Sequence, residues 1–215
     1  MVAPMSETAT VADARPYHHG DLRRALIDAA RRILENEGPG ALSLRAVARE
    51  AKVSPAAPYH HFKDKGELLE AVAHEGWDAL GDAMGAGLDI APTDHDRMSA
   101  IGVAYVEFAR DNPALYRVMY DRSRDKDELP EQMRMDNDGA YCMVRDALRA
   151  KNPGSDDMDV ELATIAAWCA AHGLAEMLSF KQFEPLKTAL GGEEAFMRAV
   201  LEHLGMFARV HGDGK

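Results

Sequence analysis

The chain reads as all-α, and three observations predict that class. Apolar residues recur at three- and four-residue spacing along nearly the whole length. No convincing run alternates with period two, so strands are not expected. Helix punctuation is present as well: Ser43, Asp64 and Pro113 stand where apolar periodicity begins, and Gly38 stands where it stops.

Each element follows from this pattern. Leu22, Ala25, Leu26, Ala29 and Ile33 form one stripe, with Arg23, Arg24, Arg31 and Glu35 outside it. This predicts a helix over 21–38, begun by Asp21 and stopped by Gly38. Ser43 caps a short helix through 51 that buries Leu44, Val47 and Ala48. After the tight connection Lys52-Val53-Ser54, Pro55 fits the first position of a third helix with Ser54 as its cap; Pro58 keeps that helix very short. Asp64 caps the next helix, which runs towards Gly85 or Gly87. Residues 90–96 read as a linker. Met98, Ile101, Tyr105 and Phe108 mark a helix ending near Asn112, and Pro113 opens another to about Tyr120. Residues 121–130 read as a charged loop. Helical spacing resumes to about Ala150, residues 151–155 break it, and two strong helices follow over 158–180 and 193–210, separated by Pro185 and Gly191-Gly192.

Composition bounds the function. The chain has 215 residues, of which 47% are apolar and 28% charged, a globular balance. No apolar run reaches the ~18–20 residues of a membrane span. Residues 1–14 carry Glu7 and Asp13, no basic residue and no apolar stretch, so no signal peptide is expected and the cytoplasm is the expected compartment. Cys142 and Cys169 are too few for a disulfide framework. They are expected to be inert buried thiols.

The net charge of −11 argues against a nucleic-acid partner until it is divided. Residues 15–65 carry ten basic and six acidic side chains, a net +4, together with His18, His19, His60 and His61; residues 66–215 carry −13. A basic N-terminal module therefore precedes an acidic body.

Within the basic module, a short helix, a tight turn and a second short helix lie between two longer ones, the helix-turn-helix arrangement. Ala48 is small where helices must approach closely, and Val53 supplies an apolar plug for the turn. The sequence from Tyr17-His18-His19-Gly20-Asp21-Leu22, through Leu44-Arg45-Ala46-Val47-Ala48-Arg49-Glu50-Ala51, to Val53-Ser54-Pro55-Ala56-Ala57-Pro58-Tyr59-His60-His61-Phe62-Lys63-Asp64-Lys65 closely resembles the DNA-binding domain of TetR-family transcriptional regulators. Gly66 departs from the family pattern, where a better helix former is usual. Further on, Asn112-Pro113-Ala114-Leu115-Tyr116-Arg117 and Trp168-Cys169-Ala170-Ala171-His172-Gly173-Leu174 resemble the C-terminal domain type named for a Trp-His-Gly pattern.

The resemblance implies an all-α homodimer of about nine helices per subunit. Residues 1–20 would be a flexible arm, 21–81 the DNA-binding domain with its motif at 43–62, and 82–215 the regulatory and dimerisation domain. The third helix would enter the major groove of a palindromic operator. Ser43, Arg45, Tyr59, His60, His61, Lys63 and Lys65 match positions that reach phosphates or bases, and Ser54, Ala56 and Ala57 lie on the leading end of the recognition helix, where alanines suit thymine methyl groups. Phe62 is expected to pack inward.

In the body, residues 158–180 are apolar on more than one face: Leu162, Ile165 and Cys169 on one side, Ala166, Ala170, Leu174 and Met177 on another. Such a helix is expected between two partners. The last helix has a stripe of Phe196, Met197, Val200, Leu201, Leu204, Phe207 and Ala208, and pairing of both helices with their copies would form a four-helix dimer interface. Trp77, Tyr105, Phe108, Tyr116, Met119, Trp168, His172 and Met177 are candidates for a small-molecule pocket, with His172 as its polar anchor; plain core packing is the competing reading of the same residues.

Chemistry-bearing motifs do not accumulate. His74-Glu75 lacks the second histidine of a zinc-protease helix, and no nucleophile elbow, phosphate loop, dinucleotide fingerprint or Cys-x-x-Cys occurs, so neither catalysis nor a cofactor is expected. Adjacent histidines diverge on a helix, so no metal site is expected. The expected function is ligand-responsive, sequence-specific transcriptional regulation, as a repressor. The alternative is a helical small-molecule-binding protein without functional DNA binding.

Overall fold

A computed structural model describes residues 19–91, 93–124 and 139–207. The arm expected over 1–20 lies outside them apart from residues 19 and 20, as do residues 125–138, the side chains of Leu204 and Phe207, and residue 208. Among the described residues there are nine α-helices and no strand: α1 (His19–Glu37), α2 (Leu44–Glu50), α3 (Lys65–Asp89), α4 (Asp94–Asp111), α5 (Pro113–Arg124), α6 (Ala140–Lys151), α7 (Asp157–Met177), α8 (Glu184–Leu190) and α9 (Glu193–Phe207). Two single 3-10 turns, Ala57–His60 and Lys181–Phe183, complete the order.

Helix α1 buries Leu26, Ile27, Ala29, Ala30, Ile33 and Leu34 against Leu44, Val47, Phe62, Leu68 and Val72 of the following elements. It ends where Gly38 (φ 81°) turns its N–H back to Ile33 O and Leu34 O. Ser43 Oγ accepts from Ala46 N at 3.1 Å, so α2 begins at the predicted cap. Asp64 Oδ1 accepts from Glu67 N at 3.0 Å while Glu67 Oε2 accepts from Lys63 N at 2.6 Å, a reciprocal cap for α3.

The third helix departs from expectation. It is one 3-10 turn beginning at Ala57, with Ala56 preceding it and no side-chain cap from Ser54. Pro58 has no N–H for an i→i−4 bond to Ser54, and Ala57, as the residue before a proline, is steered away from α-geometry. The chain closes i→i+3 bonds instead, Tyr59 N to Ala56 O and His61 N to Pro58 O.

Helix α3 has 25 residues and is roughly 37 Å long. It passes both predicted stops because α4 crosses it at Gly87, where a Cβ would lie 3.1 Å from Ala100 O and 3.2 Å from Ala104 Cβ. Gly87 marks a helix contact there, not a helix end. Helix α5 starts at Pro113 as expected but continues to Arg124, so the charged loop begins later than residue 121.

Helix α8 is absent from the sequence expectation, which took Pro185 as a separator. Pro185 sits in its first turn instead, and buried Lys187 anchors it, donating from Nζ to Leu178 O (2.7 Å), Glu184 Oε1 (3.1 Å) and Glu193 Oε2 (2.7 Å). One ammonium thereby ties the end of α7 to α8 and the start of α9.

Helix α3 is the spine, packing on α1, α4, α5 and α6. It packs tightly on α5 at Gly76, where a Cβ would lie 2.7 Å from Met119 Sδ and 2.9 Å from Leu115 Cδ1. Both neighbours are buried and have little room to yield. Gly76→Val should therefore destabilise by about 1–3 kcal/mol. Urea unfolding should show this as a lower midpoint at unchanged slope.

Candidate functional site

The N-terminal candidate residues lie on α2, the 3-10 turn and the entry to α3. Ser43, Arg45, Ser54, Ala56, Tyr59, His60, Lys63 and Lys65 are exposed, whereas Ala57 and His61 are partly buried. Tyr59 is 54% exposed, a large aromatic left in solvent. Phe62 is 1% exposed and packs inward as expected, with the Arg23 guanidinium 5.4 Å over its ring. Lys65 Nζ donates to Pro39 O at 2.9 Å, which leaves further N–H donors on the ammonium.

The turn after α2 is built for close packing. Ala48 is 1% exposed, and Val53 is partly buried against the core. Lys52 N donates to Arg49 O (3.1 Å) and Val53 N to Ala48 O (2.9 Å), the two crossed bonds of a Schellman motif. The motif puts Lys52 at φ 58°, the left-handed region that favours glycine. Lys52→Gly should stabilise the protein by about 0.5–1 kcal/mol, measurable as a raised melting temperature.

In the body, four helices bring aromatic residues together. Trp77 comes from α3, Tyr105 from α4, Tyr116 and Tyr120 from α5, and Trp168 and His172 from α7. Ring centroids are 5.1 Å apart for Trp77–Tyr120, 5.4 Å for Tyr105–Trp168, 4.9 Å for Tyr116–Tyr120 and 4.3 Å for Tyr120–His172. On the flank, Tyr141 of α6 donates to Glu161 Oε2 at 2.8 Å and its ring lies 6.3 Å from Trp168.

The polar atoms of the cluster form one chain. Trp168 Nε1 donates to Tyr120 Oη (3.1 Å), the Tyr120 and Tyr105 hydroxyls are bonded, Tyr105 Oη lies 2.8 Å from Tyr116 Oη, and Tyr116 Oη lies 2.5 Å from His172 Nδ1. With a neutral His172 accepting at Nδ1, one assignment of protons satisfies every bond. An indole only donates, and Tyr116 must give its single proton to His172. Tyr105 must then donate to Tyr116, and Tyr120 to Tyr105. Burial pushes the pKa values of Tyr105, Tyr116 and Tyr120 above the usual phenol range, so they remain neutral phenols. Trp77 Nε1 is buried and has no hydrogen-bond partner.

Of the eight candidate pocket residues, Trp77, Tyr105, Tyr116, Trp168 and His172 meet in this cluster. Phe108 and Met119 are buried core, and Met119 is the residue packed on Gly76. Met177 is 43% exposed on the outer side of α7. Sequence reasoning missed Tyr120, which sits at the centre, and Tyr141. The spacing of Tyr116 and Tyr120, four apart on one helix face, was the available signal.

The other side of α7 is apolar as well. Val160, Thr164, Trp168, Ala171 and Leu174 face the core, while Met158 (63%), Leu162 (57%) and Ile165 (48%) are exposed. Cys169 is exposed on that same side and is not a buried thiol; Cys142 is buried. Among the described residues no group of three His, Cys, Asp or Glu side chains is placed to hold a metal ion. Among the described residues no single helix is long and apolar enough to cross a membrane.

Helices flanking a tight turn, with exposed basic and hydroxyl side chains along it, on a separate helical body, define the class of helix-turn-helix DNA-binding transcriptional regulators. Comparison with known proteins gives the family. Bacterial regulatory proteins of the tetR family match residues 26–72, and the tetracyclin repressor-like C-terminal domain matches residues 98–204. The chain belongs to the TetR family. It is 28% identical to the HTH-type transcriptional regulator BetI of Rhizobium meliloti over 90% of this chain and 92% of that one. A Rhodococcus protein of unknown function superposes with a TM-score of 0.71 at 29% identity, covering 91% of this chain and 97% of that chain. A tetR-family regulatory protein from Rhodococcus shares the fold, with a TM-score of 0.61 at 21% identity over 90% of this chain and 98% of that one.

The chain's own chemistry gives a direct check on the polar cluster. Tyr105→Phe removes the middle hydroxyl and leaves Tyr120 without its acceptor, so it should destabilise by about 1–3 kcal/mol in denaturant titration.

Proposed function

We propose that this regulator is a cytoplasmic repressor. As a homodimer it holds a roughly palindromic operator through Ser43, Arg45, Ser54, Ala56, Ala57, Tyr59, His60, His61, Lys63 and Lys65, and it releases the operator when a small molecule engages the aromatic cluster. Residues 21–81 act as the reading head and 82–215 as the regulatory body, with α3 running unbroken through the division. Trp168 and His172, both in the cluster, and Gly173 after them support assigning the body to the Trp-His-Gly type.

One observation carries this reading: α5 belongs to both regions. It packs on α1 and α3, bridges to α3 through Arg122 Nη2 and Glu70 Oε1 at 3.1 Å, and supplies Tyr116 and Tyr120 to the cluster. A ligand that reorders those tyrosines acts on a helix touching the head. The ligand must bind the two head arrangements unequally to release DNA.

The second copy fits the outer side of α7. Met158, Leu162, Ile165 and Cys169 recur at helical spacing and leave one apolar stripe in solvent, suited to a two-fold helix pair. Leu162→Glu should convert the dimer to monomer in light scattering and weaken operator binding by about 10²–10⁴-fold through lost bivalency.

Selection of bound DNA from a random pool tests the reading head. A palindromic consensus is the expected outcome, and no enrichment would defeat the proposal. On the selected site, roughly six to eight phosphate contacts give a log–log salt slope near −5 to −7. Lys63→Ala should flatten that slope by about 1.8, one contact from each subunit.

A further inference from the structure

We propose that Trp77 is the hydrogen-bond donor to the effector, and that the effector is an uncharged compound presenting an accepting oxygen such as a carbonyl. This rests on the reading of the aromatic cluster as the effector site and deepens it to a ligand class.

Every polar group in the chain from Trp168 to His172 is engaged, and with His172 accepting at Nδ1 one arrangement of their protons satisfies all of them. Trp77 is 2% exposed, and its Nε1–H has no partner. A buried donor left unsatisfied is destabilising, and most native buried donors are paired. Here the exception is not at a frayed edge. It lies beside Tyr120 and Trp168, where four helices converge on polar aromatic groups.

The surroundings select the ligand's charge. The group in need of a partner is a donor, and a cation brings it no acceptor. A cation would also find the neighbouring ring faces engaged, since Trp77 stacks on Trp168 at 6.3 Å and meets Tyr120 in a T-shaped contact. An anion would supply an acceptor, but the carboxylates that reach these tyrosines are Glu161, on Tyr141, and Glu176, whose charge acts on Tyr116. Both repel an anion. An anion would have to be buried beside those carboxylates, and burying an uncompensated charge is strongly unfavourable. A neutral acceptor is what remains, and flat apolar surface on the rest of the ligand matches the rings around it.

Trp77 also sits on α3, twelve residues beyond Lys65, so an acceptor bound to it is held by the helix that leaves the DNA-reading turn. The bond therefore contacts the head's own spine without an intermediary.

The experiment uses matched pairs of probes that differ only in the acceptor: acetophenone against α-methylstyrene, and benzophenone against 1,1-diphenylethylene. Tetramethylammonium and benzoate serve as the charged arms. Binding to the full chain without DNA is followed by ¹H–¹⁵N spectra of the indoles. The chain has two tryptophans, so Trp168→Phe assigns the Trp77 signal. The expected result is that a ketone binds about tenfold more tightly than its alkene partner and moves the Trp77 Nε1–H signal downfield. Trp77→Phe should reduce that preference to within about twofold. If Trp77→Phe does not fold, the wild-type indole shift decides alone. Equal affinity within both pairs, no binding by either ketone, tighter binding of either ion, or an unmoved Trp77 signal would each overturn the assignment. Operator selection uses none of these probes. A lost ketone preference with palindromic enrichment intact removes the ligand class only, while failed enrichment removes the regulator reading.

Discussion

Helices α3 and α5 are so close at Gly76 that only a backbone without a side chain fits between them. The contact with Leu115 and Met119 sets α5 directly against the spine of the molecule. Its position then dictates two others. The same stretch of α5 carries Tyr120 against Trp77 and Tyr116 against Tyr120, and the helix also packs on α1. Widening that contact by a methyl group would push on both regions at once. Close-packed interiors transmit such displacements instead of absorbing them.

A polar cluster in the middle of a helical body needs a physical reason. Leu and Phe side chains would fill the volume without the risk that accompanies buried donors. The chain from Trp168 through Tyr120, Tyr105 and Tyr116 to His172 avoids that risk by satisfying each group in one direction only. Such a network tolerates few alternative packings, because any rotation leaves a donor or acceptor without a partner. Lys187 follows the same logic elsewhere. Among the described residues it is the buried cation, and two carboxylates and a carbonyl surround it. Both features favour a single arrangement over a merely compact one.

What was legible in the sequence had a local cause. Ser43, Asp64 and Pro113 begin helices through their own hydrogen-bonding or backbone geometry, and the structure places them there. The stripe of α1 and the inward turn of Phe62 follow from periodicity and apolarity. The misreadings had non-local causes. Gly87 resembles a helix stop until α4 is seen crossing it, and α8 depends on Lys187 meeting groups on α7 and α9. Tyr120 was passed over because the charged residues after it suggested a loop. Met177 was assigned inward because α7 is apolar on more than one face, and composition alone does not say which face the chain itself covers. The one-turn form of the third helix was readable in principle, since Pro55 and Pro58 withhold two N–H groups within four residues.

The charge of the chain shows the same division between local and global cause. A total of −11 describes the field only at distances where the protein resembles a point. At physiological salt, screening limits electrostatic influence to about 8 Å, shorter than α3 is long. A phosphate placed at the turn between α2 and α3 would therefore feel the side chains near that turn, in a stretch carrying +4, and hardly at all a remote acidic body. DNA approaching the body meets the opposite sign and is repelled. The acidic remainder thus narrows the orientations in which an encounter succeeds, without weakening the contact once it is made. An acidic protein that reads DNA requires only that its opposite charges be separated by more than the screening length, and a helix spanning head and body provides that separation.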